Sequence, residues 1–439
     1  MKGKRPLSAG TLFMLGLTAI ITVGSLFVLK KMRNDISLIQ LPEKIMDVSQ
    51  LTFSASATPV PKSTDLPVIE QILPATDGGN RTAVPVSEQT PTPSPTAVQS
   101  TKTQSPARSF SLTVSGIAAF DKDITEACLT QDKSDVDYSG IFDDISEYLV
   151  SDLNICPVGG LFVGSAKNYS DLIYPTSAAK ALGQAGFDSL LMNFSKALDK
   201  GLDPLTESVN ITNQSNLTSF GTGVSGSGDK IIQLNGIKIA MLGYVSTASS
   251  KTKSAMKTYP DALNSLDTDA IGQDIQQVRQ AGAEVVIVCV CWGKTDAEKI
   301  TASQRSTAQA LAGAGADLII GFNPSGVLGV EYVQGENGHT ALVAYSMGSL
   351  LCADRSAGRN VAGMLLQLNI NVQNETVSFS KIDYVPLYQW RQKINGKITY
   401  KVVVASAAVP EGMEQKQQGY MSNALTRINK LMTSAPLTR

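Results

Sequence analysis

The sequence predicts an α/β fold: a layered domain with a largely buried sheet, preceded by one transmembrane helix and a disordered stalk. Three observations predict it. Beyond Ser109, short strands apolar on both faces alternate with amphipathic helical segments. Leu12 to Leu29 runs eighteen residues without a charge. Between these regions the composition turns to Ser, Thr and Pro.

The apolar run LFMLGLTAIITVGSLFVL is just long enough to cross a hydrocarbon core of about 30 Å at about 1.5 Å per residue. Lys2, Lys4 and Arg5 precede it and Lys30, Lys31 and Arg33 follow it. Positive charge on both flanks leaves the orientation open to the charge rule alone. The run ends in Phe27-Val28-Leu29-Lys30-Lys31, which lacks the small residues of a signal-peptide cleavage site. The expectation is an uncleaved signal anchor over 12–29, with 1–11 as a short cytoplasmic N-terminus. The chain would then sit in the cell membrane as a single-pass protein with its C-terminal domain extracytoplasmic.

Residues 30–108 read as an extracytoplasmic stalk. Nine of the nineteen prolines fall between Pro59 and Pro106, and Phe53 is the lone aromatic residue from Leu51 to Arg108. Such a segment buries too little apolar area to offset about 1–2 kcal/mol of backbone entropy per residue. It should be a partly extended, solvated tether.

The domain is expected over 109–385. Phe110 to Val114 reads as a strand ending in Ser115-Gly116. Ile141 to Leu153 carries Ile141, Phe142, Ile145, Tyr148 and Leu149 at helical spacing, with Asp143 and Asp144 in the first turn, and predicts a helix. Ala178 to Ala185 predicts a helix stopped by Gly186, with a strand over Phe187 to Met192. Asn235-Gly236 between Ile231–Leu234 and Ile237–Tyr244 predicts a hairpin, because a two-residue turn there needs positive φ. Ala270 to Gln280 forms an amphipathic helix ended by Gly282, followed by a strand over Glu284 to Cys291. Ala308 to Ala314 and Leu318 to Phe322 repeat the unit, and Leu342 to Ser346 and Met364 to Val372 add strands. Runs apolar on both faces belong in a sheet covered on both sides. Residues 386–439 read as a partly helical extension, with Met421, Leu425, Ile428 and Leu431 along one stripe.

A net formal charge of -1 gives no electrostatic case for nucleic acid as a partner. Five cysteines (Cys128, Cys156, Cys289, Cys291 and Cys352) show no C-x-x-C spacing. Cys289 and Cys291 share a strand face and read as core thiols; Cys128 and Cys156 are candidates for a disulfide in an oxidising exterior. The chain has one histidine, His339, in a Gly-Glu-Asn-Gly-His turn. Asp188 and Asp317 read as structural residues at strand starts, and Asp121 as a surface carboxylate or a displaced ligand.

Taken in order, the strand ends resemble the CapA capsule-synthesis (poly-γ-glutamate biosynthesis) family. The segments that carry the resemblance begin with Ser115-Gly116, Ser151-Asp152-Leu153, Ala185-Gly186-Phe187-Asp188 and Leu198-Asp199-Lys200-Gly201. Asn235 to Gly243, Cys291-Trp292-Gly293, Gly315 to Gly321, Pro324 and Tyr345-Ser346-Met347-Gly348 continue it. The resemblance implies a layered α/β/β/α sandwich similar to calcineurin-like metallophosphatases, and a metal site at the strand ends.

The departures fall at that site. Ile117 follows Gly116 where the family has Gly-Asp, and Pro157-Val158-Gly159 stands for Asn-Leu-Glu. Phe194-Ser195-Lys196 stands for Asn-Asn-His, and Cys291-Trp292-Gly293 for His-Trp-Gly. Gly321-Phe322-Asn323-Pro324-Ser325 stands for Gly-His-His-Pro-His, and Gly348-Ser349-Leu350 for Gly-Asn-Phe. A hydrolytic metal site needs carboxylates and imidazoles converging on a cation, and an ammonium in place of an imidazole repels one.

The expectation is therefore a degenerate site with no catalytic residues, no bound metal and no cofactor. Its cleft positions are Lys196, Ser195, Cys291, Trp292, Asn323 and Ser325, with the Lys196 charge available to hold an anionic group. The leading functional expectation is a non-catalytic accessory in capsule or other surface-polymer biosynthesis. Its partners would be the membrane, an anionic surface polymer or capsule-synthesis proteins. A hydrolase with a rearranged site, and a surface interaction or sensor module, are the alternatives.

Overall fold

A computed structural model describes residues 107–433, apart from 227, 229 and 324. The anchor over 12–29 and all but the last residues of the stalk lie outside the described residues. Among the described residues no helix is long and apolar enough to cross a membrane.

The chain opens with β1 (Arg108–Val114), the short β2 (Ile117–Ala118), α1 (Lys122–Ala127) and α2 (Asp143–Ser146). β3 (Leu153–Pro157), β4 (Leu161–Gly164), β5 (Ile173–Pro175), α3 (Ser177–Ala185) and β6 (Ser189–Leu191) follow. Next come α4 (Leu202–Gln214), β7 (Thr218–Phe220), β8 (Lys230–Leu234), β9 (Ile237–Val245), α5 (Ser250–Thr258) and α6 (Thr268–Gln280). β10 (Val285–Cys291), α7 (Ala302–Ala314), β11 (Leu318–Phe322), β12 (Val330–Gln334), β13 (Thr340–Ala344) and β14 (Ser349–Leu351) complete the middle of the chain. It ends with β15 (Ala362–Gln373), β16 (Thr376–Ile394), β17 (Lys397–Val404) and α8 (Gln415–Thr433).

Two mixed sheets result. The first has seven strands in the order β17-β16-β15-β1-β3-β6-β7. Its β1-β3-β6-β7 half is parallel and its β1-β15-β16-β17 half antiparallel. The second has six strands in the order β12-β13-β11-β10-β9-β8, parallel through its centre and closed by antiparallel edge pairs.

β10 shows why the sequence needed two layers. Val285, Ile287, Cys289 and Cys291 join a core that also holds Leu112, Val114, Ile155 and Leu190 of the first sheet. Val286, Val288 and Val290 point the other way, onto Ile271 and Ile275 of α6 and Ala308 and Leu311 of α7. Side chains alternate along a strand, so a run apolar at every position is stable only with both faces covered.

Turn and cap residues set the local structure at several places, two of them expected from the sequence. Asn235 and Gly236 take φ of 50° and 75° and close the β8–β9 hairpin in register Leu234 opposite Ile237. Gly186 ends α3 in the left-handed region at φ 110°, which a glycine reaches without steric cost. Thr301 and Gln304 form a reciprocal capping box at the start of α7.

The expected helix over Ile141–Leu153 requires correction: only Asp143–Ser146 is α-helical. Ile141, Phe142, Ile145 and Leu149 are buried as their spacing suggested. The carbonyl of Ile141, however, accepts the amide of Val402 from β17 at 2.8 Å, so tertiary pairing claims the backbone at the start of the segment. Residues 386–439 contain the second half of β16, then β17, and then α8 on the same sheet. Tyr384 donates to Asn429 at 3.1 Å and Trp390 to Gln417 at 2.7 Å, tying α8 to β16. Met421, Ala424, Ile428 and Met432 are the residues α8 buries.

Candidate ligand cleft

In open α/β sheets the strands deliver their loops to the edge formed by their C-terminal ends, where ligands bind. Here β6, β9, β10 and β11 end in Asn193-Phe194-Ser195, Ser246-Thr247, Trp292-Gly293-Lys294 and Phe322-Asn323. A cleft of about 490 Å³ lies among these loops and the segment after β14, with Ser195, Lys294, Asp296, Asn323, Ser325, Asp354 and Arg359 in its walls.

Three of the six positions read from the sequence therefore line one cleft: Ser195, Asn323 and Ser325. Their polar groups are partly committed to the protein. Asn323 has φ of 99°, in the region L side chains rarely adopt, and its Nδ2 donates to the Gly293 carbonyl at 2.8 Å. Ser325 donates its amide to the Thr295 carbonyl at 2.8 Å, and the Ser195 carbonyl accepts the amide of Ser249 at 2.7 Å.

The other three stand differently. Lys196 is exposed and does not contribute to the lining of the cleft. Cys291 is 1% exposed, and burial pushes its thiol up to about 12. Its sulfur lies 3.7 Å from the Thr247 hydroxyl. Trp292 is 2% exposed, stacked on Tyr345 with ring centroids 5.5 Å apart, and its Nε1 donates to the Tyr345 carbonyl at 3.0 Å. Trp292 borders an adjoining groove that Leu266, Lys299 and Thr307 also line.

Other polar residues read from the sequence have internal partners. Asp199 accepts from the Thr252 amide at 3.1 Å, from the Thr252 hydroxyl at 2.8 Å and from the Ser249 hydroxyl, which anchors the start of α5. Asp188 accepts the Asn154 amide at 2.8 Å. Asp317 accepts from the Val286 amide at 2.8 Å and from Arg279 at 2.6 Å. His339 lies 3.3 Å from the Asp317 carboxylate, whose hydrogen bond raises the imidazole's pKa. All five cysteines are free, so the candidate Cys128–Cys156 pairing is corrected: Cys156 is fully buried in the core as a packing thiol. Asp121 is half-buried, accepts the Ala353 amide at 2.8 Å, and is pushed up to about 6, chiefly by burial.

Sequence reasoning missed Arg359, Lys294 and Asn193. Arg359 pairs with Glu298 at 2.8 Å, and its signal was a loop dense in charge between the expected strands Leu342 to Ser346 and Met364 to Val372. Asn193 is fully buried just after β6, and neither side-chain amide atom has a hydrogen-bond partner among the described residues. Nothing in its neighbours announced that.

The donor set does not suit a divalent cation. Among the described residues no three His, Cys, Asp or Glu side chains converge on a point. The residues at the positions of the expected ligands instead pair with one another. Ile117 donates its amide to the Gly348 carbonyl at 3.0 Å, and β2 lies parallel to β14 with Ile117 opposite Ser349. Ala118 bridges Val158, and the Gly159 amide donates to the Ala118 carbonyl at 3.0 Å. A Cβ on Gly116 would stand 2.5 Å from the Gly348 oxygen, so only glycine admits this approach. Isoleucine, valine and glycine stand at these strand ends, and their side chains supply no ligand atom.

Residues 111–354, more than half of the chain, match the family described as bacterial capsule synthesis protein PGA_cap. The chain belongs to this family. It is 26% identical over 215 residues to the capsule biosynthesis protein CapA of Bacillus anthracis, covering 47% of this chain and 49% of the relative. It is 28% identical over 178 residues to the PGA biosynthesis protein CapA of Bacillus subtilis, covering 40% of this chain and 45% of the relative. The chain thus spans about half the length of the CapA proteins it matches. A calcineurin-like phosphoesterase of Bacillus subtilis aligns over 74% of this chain and 100% of its own, at 12% identity and a TM-score of 0.38. The PGA_cap match stops at 354, so the second half of the loop after β14, β15 to β17 and α8 lie beyond it.

Proposed function

We propose that this PGA_cap-family chain is a membrane-anchored, extracytoplasmic accessory in the biosynthesis of capsule, poly-γ-glutamate or another surface polymer, and that it acts without catalysis. The observation that carries the non-catalytic part is the strand edge just described. Ile117, Val158 and Gly159 offer no side-chain ligand atoms, while the Cys291 thiol is buried and its pKa is pushed up to about 12. The cleft carries Lys294 and Arg359 beside Asp296 and Asp354, with Asn323 and Ser195, a mixed polar lining that suits a polar chain segment. The uncharged run over 12–29 supports the anchor, and the Pro-rich stretch supports a tether that carries the domain away from the bilayer.

The test uses the full-length purified chain. Elemental analysis and titration with Mn²⁺, Zn²⁺ and Mg²⁺ are expected to show no stoichiometric site. Phosphodiesterase and γ-glutamyl hydrolase assays are expected to show no turnover above buffer. Stoichiometric metal with turnover abolished by a chelator overturns the reading. Alkaline phosphatase fused after residue 433 and expressed in cells is expected to be active, as an outward-facing domain requires, and an inactive fusion rejects the orientation.

A further inference from the structure

A second cavity, of about 450 Å³, lies outside the stretch shared with the family. Arg355, Tyr388, Arg391, Glu414, Lys416 and Tyr420 are the charged and aromatic residues in its walls. Arg355 comes from the loop after β14, Tyr388 and Arg391 from β16, and Lys416 and Tyr420 from α8. Three cationic side chains face one carboxylate there.

Arg355 is the unusual member. Its Nη1 donates to the Gln389 carbonyl at 2.7 Å, while its Nε and Nη2 are buried and have no acceptor among the described residues. Its guanidinium lies 5.7 Å from the Tyr400 ring centroid. The nearest acid in sequence, Asp354, is spent elsewhere: it accepts from the Ser356 amide at 2.8 Å and from Asn360 at 2.7 Å. Burial lowers the Arg355 pKa, and the Arg391 charge lowers it further. A guanidinium withdrawn from water with no anionic partner is costly, and an anion held in the cavity offsets that cost through its field, without a direct bond to the two covered nitrogens.

The rest of the cavity is built to the same end. Lys416 sits over the Tyr420 ring, 5.9 Å from its centroid, and the first turn of the nineteen-residue helix α8 brings the positive end of its dipole to the same wall. Gln417 bonds both Trp390 and the Arg391 carbonyl, at 2.7 Å and 2.6 Å, which fixes α8 against β16 and sets the width of the opening.

We infer that this cavity binds an oxyanion, the carboxylate or phosphate group of a larger ligand, between Arg391 and Lys416 and against the Arg355 guanidinium. The inference does not rest on the capsule reading, since every residue that forms the cavity follows residue 354. Arg391 and Lys416 are exposed and supply cations at the mouth, while Arg355 supplies a charge below them.

The experiment is calorimetric titration of the full chain at low salt with inorganic phosphate and, separately, with triglutamate. Saturable binding of either probe is expected. The double variant Arg391→Ala/Lys416→Ala should weaken it by about tenfold or more, because two charge-assisted contacts are lost. Glu414→Gln should strengthen it several-fold, a gain that a merely structural role would not produce. Lys200→Ala, an exposed lysine elsewhere, should leave it unchanged. Triglutamate binding tighter than phosphate assigns the site to a carboxylate chain, and the reverse order assigns it to a phosphate ester; either order supports the inference. Arg355→Met should abolish binding if it folds, and the surface double variant decides the matter if it does not. No saturable binding of either probe, or binding by the double variant equal to wild type, overturns it.

Discussion

Trp292 offers the sharpest division between a ligand-stacking residue and a packing one. Its ring lies nearly parallel to that of Tyr345, at an interplanar angle of 20°, and its Nε1–H is the donor to a buried main-chain carbonyl. Replacing it by alanine removes a side chain that is 2% exposed and should cost about 3–5 kcal/mol of stability. Trp292→Phe keeps a ring on Tyr345 but leaves the Tyr345 carbonyl without that donor, and should cost about 1–3 kcal/mol. Equilibrium urea unfolding of the full chain, followed by far-UV circular dichroism, measures both. The ordering wild type, phenylalanine, alanine is the expected result. An alanine variant within about 1 kcal/mol of wild type would refute the packing argument and return Trp292 to the cleft as a contact residue.

Other substitutions test neighbouring parts of the argument. Gly321→Ala should destabilise by about 1–3 kcal/mol in the same assay, because its Cβ would stand 2.2 Å from Trp292 Nε1. Asp317→Ala should cost about 3 kcal/mol, since it strips the Val286 amide and Arg279 of their shared acceptor; a loss under about 1 kcal/mol contradicts that role. Asp121 holds its proton more tightly folded than unfolded, so its favourable contribution is full below its ordinary pKa of 3.8 and is lost as pH rises toward about 6. Asp121→Asn should therefore flatten the stability profile between those limits, and an unchanged profile rejects the assignment. Aromatic disulfide reagents should label the folded chain far more slowly than the unfolded one, because burial pushes the Cys128, Cys156, Cys291 and Cys352 thiols up to about 12.

The parts of the fold legible in the sequence were those where one periodicity and one turn residue agreed. β10 announced itself because its two faces enter two different cores, and the β8–β9 hairpin because Asn235-Gly236 admits only a tight turn. The long β15–β16–β17 meander was harder. Much of β16 is exposed and polar, so its alternation is weak, although Asn395-Gly396, with φ of 49° and 83°, carries the same signal as the earlier hairpin. Ile141 to Leu149 shows the opposite failure, helical spacing in a segment of which only Asp143–Ser146 is helical and whose first carbonyl bonds to β17. In the cleft, the family resemblance at the strand ends located Ser195, Asn323 and Ser325, while Arg359 and Lys294 came from loops that neither the resemblance nor periodicity describes. The Arg355 cavity was invisible in one dimension because its walls come from three separate elements.

The position of β1 has a mechanical consequence. The first described strand lies inside its sheet, antiparallel to β15 along all seven residues and parallel to β3 over Leu112 to Val114. A pull delivered at Arg108 along the strand therefore loads both ladders in shear, so that many hydrogen bonds must fail together rather than one after another. A strand paired on both sides resists such a pull better than an edge strand, which peels.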